Sequence, residues 1–253
     1  MSVSEVPQEK RKTLDDYFIT QATKRHRLPD HGQRPYKNPS TSIPGLQVLE
    51  NFVSTDEQHL ILDFLDKQTW RTDLARRVIH YGGTYCLMPP GNADAKERKK
   101  IESTIIKAAD LPSELAFVVD KMIHYDLYTV STRPEFCIVN EYKENQGISA
   151  HVENFRFASP VCGLTLAQGD WMRFHELVQA DDGSVRSGKA CQAQRTGRKQ
   201  DVWMPARSLL VMSGEARERW QHEIPRTRRG RETLGWRRVS LTFRTTKTPI
   251  PTI

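Results

Sequence analysis

The stretch Arg238-Val-Ser-Leu-Thr-Phe-Arg244 decides the fold. Val239, Leu241 and Phe243 alternate with Ser240, Thr242 and Arg244, the period-2 pattern of a strand with one apolar and one polar face. Arg238 joins the polar face if the strand begins there. An arginine turned into a β structure is costly unless it meets an anion, and a carboxylate gripped by the planar guanidinium fork is the natural solution. Upstream lie Ser213-Gly-Glu-Ala-Arg217 and Trp220-Gln-His222, and farther back Asn140-Glu-Tyr142 and His151-Val-Glu153. At a strand end, residues i and i+2 point to one side, so His151 and Glu153 can face a single ion. His222 has to return from a strand much later in the chain, which requires a barrel or a sandwich. Two imidazoles and one carboxylate leave open positions on a metal, the donor set of mononuclear iron sites that admit O2 and a co-substrate.

Each feature alone has a plainer reading. A His-x-Glu pair occurs often by chance, and His222 alone reads as a surface or satisfied core histidine. Arg238 could be one more member of a basic run with Arg226, Arg228, Arg229, Arg231 and Arg237. Arg244 alone could guard an edge strand, and Asn140 and Tyr142 could be ordinary strand residues. The conjunction of all of them favours a metal and anion site.

Four blocks in order resemble the AlkB-like Fe(II)/2-oxoglutarate dioxygenases. They are Arg76-Arg-Val-Ile-His-Tyr-Gly82, Val139-Asn-Glu-Tyr142 with Gln146-Gly-Ile-Ser-Ala-His151, Ser213–Arg217 with Trp220–His222, and Arg238–Arg244. The resemblance implies a mostly β chain with packing helices. Its centre would be a double-stranded β-helix, or jelly roll, preceded by an N-terminal α/β extension and a disordered tail. It implies Fe(II) held by His151, Glu153 and His222, with 2-oxoglutarate and O2 as co-substrates. Arg244 matches the arginine that pairs the distal carboxylate of 2-oxoglutarate, and Arg238 the one near its C1 end. Asn140 and Tyr142 match residues that hydrogen-bond the co-substrate. Ser240 lies beside them where an Asn is common, and an aromatic residue is common at the position of Glu218. Arg76, Arg77, His80 and Tyr81 match a block on the substrate side. The metal motif departs from the usual His-x-Asp: Glu153 is one methylene longer.

The activity so implied is oxidative demethylation of alkylated bases in nucleic acid, with DNA repair the expected setting. The alternatives are a tRNA-modifying hydroxylase or demethylase, or a nucleic-acid-binding module of weak catalytic power on the same fold. The formal charge of +7 suits a polyanionic partner, though a solvated basic surface gives the same balance. At 253 residues the chain holds one domain, taken as 44–248, after a polar tail over 1–43. No run approaches the ~18 apolar residues of a membrane span, and no signal peptide is evident. The four cysteines, without a Cys-x-x-Cys, read as free thiols in a reducing compartment, and a monomer is expected.

Along the chain, Gly45–Phe52 reads as an entry strand and Ser54-Thr-Asp-Glu57 as a capping box for a helix carrying Leu60, Ile61, Phe64 and Leu65. Arg76–Tyr81 reads as a strand, Pro89–Lys100 as a charged link, and Ser113–His124 as a second amphipathic helix. Phe136–Val139 opens the barrel core. Val161–Ala167 and Trp171–Phe174 read as a strand pair around Gly169-Asp170, the insert between Glu176 and Met204 as a long hairpin, and Ser208–Met212 as an apolar strand. In the tail, Lys10-Arg-Lys-Thr-Leu14-Asp-Asp-Tyr17-Phe18 resembles the short box that docks on the replication sliding clamp, with Arg11 where Gln is usual. One helical turn would set Leu14, Tyr17 and Phe18 on one face. Lys24-Arg-His-Arg27 fits a nuclear-import signal and fits solvated charge equally well; a nuclear location is expected.

Overall fold

The computed structural model describes residues 41–84, 106–181, 193–226 and 234–247, together with 92, 94, 96 and 97. In chain order the elements are β1 (Leu46–Leu49), α1 (Thr55–Asp66), β2 (Arg77–Tyr81), β3 (Gly83–Thr84) and β4 (Ile106–Lys107). A 3-10 turn then leads into α2 (Ala116–His124) and β5 (Phe136–Tyr142), followed by β6 (Ile148–His151), β7 (Val161–Ala167) and β8 (Asp170–Leu177). The last elements are β9 (Arg195–Met204), β10 (Leu209–Met212), the short α3 (Gly214–Glu218), β11 (Trp220–Ile224) and β12 (Arg238–Arg244). The box with Leu14, Tyr17 and Phe18, the basic Lys24–Arg27 cluster and most of the Pro89–Lys100 link lie outside the described residues.

The strands form a six-stranded sheet in the order β1-β10-β7-β12-β5-β2 and a four-stranded sheet in the order β6-β11-β8-β9, with β3 and β4 as a small separate ribbon. All pairings are antiparallel. This is the two-sheet jelly roll expected from the sequence, and β12 lies inside the larger sheet between β7 and β5.

Alternation explains the layers. Val239, Leu241 and Phe243 of β12 share one core with Leu164 and Leu166 of β7, Leu209 and Val211 of β10, and Val139 of β5. Ile61 and Leu65 of α1 and Val118, Val119 and Met122 of α2 complete that core, so both helices cover the outer face of the larger sheet. Each such aliphatic side chain contributes about 1.5–3 kcal/mol on burial. The opposite face of the same sheet packs against the smaller one: Leu210 and Met212 join Met172, Phe174, Val202 and Trp220. Polar residues of β12, set opposite its apolar ones, therefore point between the two sheets.

The start of α1 is as the sequence predicts. Ser54 accepts from the backbone of Glu57 at 3.1 Å, and the Glu57 carboxylate accepts from the Ser54 backbone N–H at 2.7 Å.

One pairing differs from the expectation. Val161–Ala167 and the strand after Gly169 do not pair with each other. The first bonds β10 and β12 in the larger sheet, and the second bonds β11 and β9 in the smaller. Ala167 takes φ 64°, which turns the chain out of its sheet, and a Cβ at Gly169 would stand 2.6 Å from the Trp203 ring. The connection crosses between sheets instead of closing a hairpin. The long hairpin expected between Glu176 and Met204 is displaced: Arg195–Met204 forms β9, and it pairs with β8 over Asp170–Leu177.

Gly45 links the entry strand to the segment before His222. Its carbonyl accepts from the Ser213 backbone at 2.9 Å and from the Ser213 hydroxyl at 3.0 Å. Its φ is +81°, and a Cβ there would sit 2.0 Å from the Ser213 carbonyl oxygen. Gly45→Ala is expected to destabilise the fold by more than about 1 kcal/mol, since both backbone and space oppose it. A lowered urea midpoint with an unchanged slope is the expected reading.

Candidate active site

Three side chains meet where β6 and β11 of the smaller sheet approach the end of β12 in the larger one. His151 ends β6 and His222 lies on β11, and the two are direct partners across these antiparallel strands. Their ring centroids are 4.4 Å apart. Glu153 follows β6 by two residues, and its Oε1 is 3.6 Å from His222 Nε2. The potential ligand atoms of His151, Glu153 and His222 all lie within 4.8 Å of one another, close enough for one ion.

Local bonds set the donors. His151 Nδ1 is 2.7 Å from the Ser149 carbonyl oxygen, which can only accept. The proton therefore sits on Nδ1, and Nε2 keeps a lone pair for a metal. Glu153 is 2 % exposed. Burial alone would raise its pKa, but the charge and hydrogen bonds of Arg244, with His222 alongside, outweigh it and hold the carboxyl well below the usual range. Two imidazoles and an ionised carboxylate are a donor set that fits Fe(II), and Glu153 serves as well as aspartate in kind of donor.

The arginines divide differently from the expectation. Arg244 is not open to fork an incoming dicarboxylate: its Nε donates to Glu153 Oε2 at 2.8 Å and its Nη2 to Oε1 at 3.0 Å. Phe157 lies beneath the same guanidinium, with its centroid 5.6 Å away. Arg238, 2 % exposed, lies deeper. Its Nη2 donates to Thr165 Oγ1 at 3.0 Å, and its guanidinium carbon is 5.3 Å from the Tyr142 ring centroid.

Asn140, Ser240 and Thr165 form one polar row across β5, β12 and β7, by direct register. All three are buried. The inner wall of the larger sheet thus offers Arg238, Tyr142 and this row, whereas His151 and His222 belong to the smaller sheet.

The substrate-side block is split by the strand period. Arg76 and His80 face inward: Arg76 Nε donates to Asn140 Oδ1 at 2.7 Å, and His80 feels the charges of Arg244, Arg71 and Arg76. Tyr81 belongs to the helix-side core. Arg77 turns the same way, pairing with Glu141 and lying 4.4 Å from the Trp70 ring centroid. Residues 77 and 81 of a strand share a face opposite to that of residue 80. Of the four residues, Arg76 and His80 therefore stand on the inner face, and Arg77 and Tyr81 on the helix side.

Arg217 has a part that its sequence block did not disclose. It is 1 % exposed on α3, and its Nη2 donates to the carbonyls of Asn154 at 3.0 Å and Phe157 at 2.5 Å. It braces the turn that follows Glu153. Its place just before His222 was the only available signal. Glu218, the next residue, is half exposed and its carboxylate lies 3.6 Å from the Arg217 guanidinium.

The sequence profile of the 2OG-Fe(II) oxygenase superfamily matches residues 45–244. The Arabidopsis thaliana protein named "Alkylated DNA repair protein ALKBH8 homolog" is 31% identical over 194 residues, 73% of this chain and 51% of that protein. The Caenorhabditis elegans "DNA N6-methyl adenine demethylase" is 26% identical over 210 residues, 81% of this chain and 61% of its own length. The Macaca fascicularis "tRNA (carboxymethyluridine(34)-5-O)-methyltransferase ALKBH8" is 27% identical over 199 residues, 74% of this chain and 25% of its own length. The chain thus spans about half the length of the first of these relatives and less of the last. The solved structure of OsALKBH1 superposes with a TM-score of 0.52 at 15% identity, covering 80% of this chain and 98% of that one, which shows a common fold.

His80 gives the site a pH signature. Burial, then the charges of Arg71 and Arg244, push its pKa from 6.5 down to about 4. Above pH 6.5 the ring is neutral in both folded and unfolded chains. Between 6.5 and about 4 the unfolded chain takes a proton that the fold refuses, so stability falls as pH drops. His80→Gln is expected to flatten that part of the profile, read as melting temperature against pH.

Proposed function

Because the chain belongs to the 2OG-Fe(II) oxygenase superfamily, on its AlkB-like branch, we propose that it oxidatively demethylates alkylated bases in nucleic acid. The observation that carries this reading is the His151–Glu153–His222 triad opening beside an arginine-lined interior. Bound Fe(II), with 2-oxoglutarate and O2, supplies the oxidising power that hydroxylates a methyl group on a base nitrogen, which then leaves as formaldehyde.

The residues divide the remaining work. His151 and His222 hold the metal through their ring nitrogens. Glu153 offers Oε1, the oxygen that faces His222, while Arg244 Nε keeps Oε2. Arg244 thus acts as the brace of a ligand, and the distal carboxylate of 2-oxoglutarate falls to Arg238. Support for this assignment comes from the Arg238 guanidinium, which lies against Tyr142 and Thr165 in a dry interior where a charge-assisted bond is strong. Asn140 and Ser240 flank the same seat. His80, neutral at pH 7, lines the substrate side without adding charge beside Arg244 and Arg76. A base has to leave its stack to reach such a recess. The interior shields the reaction, and the protein's own part is binding and orientation.

DNA is our preferred substrate, in a repair setting, supported by the names of the Arabidopsis and nematode relatives. A tRNA-directed reading draws on the macaque relative, a quarter of whose length the chain matches. Methylated DNA and RNA oligonucleotides incubated with the protein, Fe(II) and 2-oxoglutarate, then weighed by mass spectrometry, decide between them. Loss of a methyl mass from DNA supports the first reading, loss from RNA alone supports the second, and loss from neither overturns both.

Glu153→Ala is expected to abolish product. The two arginines separate by readout. Arg238→Lys should raise the 2-oxoglutarate requirement about ten- to a hundredfold and leave iron affinity nearly unchanged, since lysine cannot present the planar fork. Arg244→Lys should weaken iron retention first, because Glu153 loses its brace. The opposite pattern, with the co-substrate requirement following Arg244, would restore the assignment implied by family resemblance.

A further inference from the structure

Asn140 stands where the anion seat meets the substrate side, and its amide has two ends of opposite character. The oxygen accepts and the nitrogen donates, so which end faces the seat decides whether a carboxylate is welcomed or repelled. Arg76 Nε donates to Asn140 Oδ1 at 2.7 Å. A guanidinium can only donate, so this bond fixes the amide with its oxygen toward Arg76. The NH2 group is left as the donor available on the other side. The same guanidinium carbon lies 5.7 Å from the Tyr142 ring centroid, and that ring also carries Arg238 at 5.3 Å. Arg76 therefore touches two walls of the seat without belonging to the strand pair that builds it.

Arg76 also belongs to a strap. Arg71 and Val78 exchange backbone hydrogen bonds, each 2.9 Å, and close a loop over residues 71–78. Gln146 pins that loop by donating to the Ala75 carbonyl at 2.6 Å. Residues 71–75 are exposed. The strap's inward contact with the seat is Arg76.

We propose that Arg76 is a positioning residue for the co-substrate: it turns the Asn140 amide so that its NH2 faces the dicarboxylate seat, and through this bond ties the strap over residues 71–78 to occupancy of that seat. The proposal rests on the functional reading given above. A filled seat holds the Asn140 amide from one side, Arg76 holds it from the other, and the strap is steadied. An empty seat leaves the bond to Arg76 as the amide's side-chain anchor. Co-substrate binding therefore prepares the surface over which a nucleic acid would enter.

The test uses the full chain loaded with Ni(II), which binds the triad without turnover. Calorimetry with 2-oxoglutarate gives the dissociation constant, and hydrogen exchange reports protection of residues 71–78. For Arg76→Met the dissociation constant is expected to rise about tenfold, as for loss of a charged hydrogen-bond partner. Strap protection on adding 2-oxoglutarate, present in the parent, is expected to vanish. Nickel affinity and melting temperature are expected to stay at the parent's values. Arg76→Lys, which still donates to Oδ1, should recover most of the affinity.

Parent-like 2-oxoglutarate binding by Arg76→Met would overturn the proposal. So would loss of nickel affinity and thermal stability together with it, which marks a merely structural arginine. A parent protein that binds nickel and takes up no 2-oxoglutarate would overturn the functional reading and this proposal with it. An altered dissociation constant with the strap unprotected in the parent would sink the coupling.

Discussion

Glu153 is a carboxylate in a place from which water is excluded, and an isolated ion there costs several kcal/mol. It stays ionised because Arg244 forks both of its oxygens and His222 stands beside Oε1. Much of the site follows from this pair. It joins the end of β12 to the turn after β6, and so ties the larger sheet to the smaller one at the metal mouth. Removing either partner would leave the other buried and uncompensated, a loss of about 3–5 kcal/mol by the usual measure. Arg217 supports the same point from below through the carbonyls of Asn154 and Phe157. The ligand is thus held by an ion pair, and the ion pair by a braced turn.

The glutamate that departs from the usual His-x-Asp gains a physical meaning here. Its carboxylate reaches Arg244 with both oxygens engaged while Oε1 stays beside His222. Such a pair fixes the carboxylate's direction before any metal arrives, and pre-organisation of a ligand reduces what binding has to order. Arg238 is the arginine set against the Tyr142 ring and the Thr165 hydroxyl. One strand supplies both guanidinium groups, and their different neighbours give them different work.

The two faces of the larger sheet divide stability from chemistry. Helices α1 and α2 seal one face with aliphatic and aromatic side chains, and β12 contributes Val239, Leu241 and Phe243 to that seal. Arg238, Ser240, Thr242 and Arg244 are turned the other way by the same pleat. Ionic pairs on the helix side, among Arg77, Arg237, Asp66 and Glu141, serve packing between strands and helix. They lie across the sheet from the metal triad.

Alternation in Arg238–Arg244, the capping box at Ser54 and the apolar spacing of the helices were readable from residue types alone, because these signals are local and repeat with the period of their own element. The metal triad was readable as a set, since only a fold returning β11 to β6 gives the late histidine a partner. Which face of β2 turns inward was not readable. Its pattern allows either sense, and only pairing with β5 sets Arg76 and His80 inside and Arg77 and Tyr81 outside. The same limit held for the connection after Ala167, where two residues suffice for a hairpin and equally for a step between sheets. The two arginines were readable as inward-facing, and the family resemblance implied a separate role for each, but the pairing of Arg244 with Glu153 was not readable. Their roles depend on where the turn after His151 carries Glu153, a distance in space between residues far apart in the chain, and only the tertiary structure fixes it.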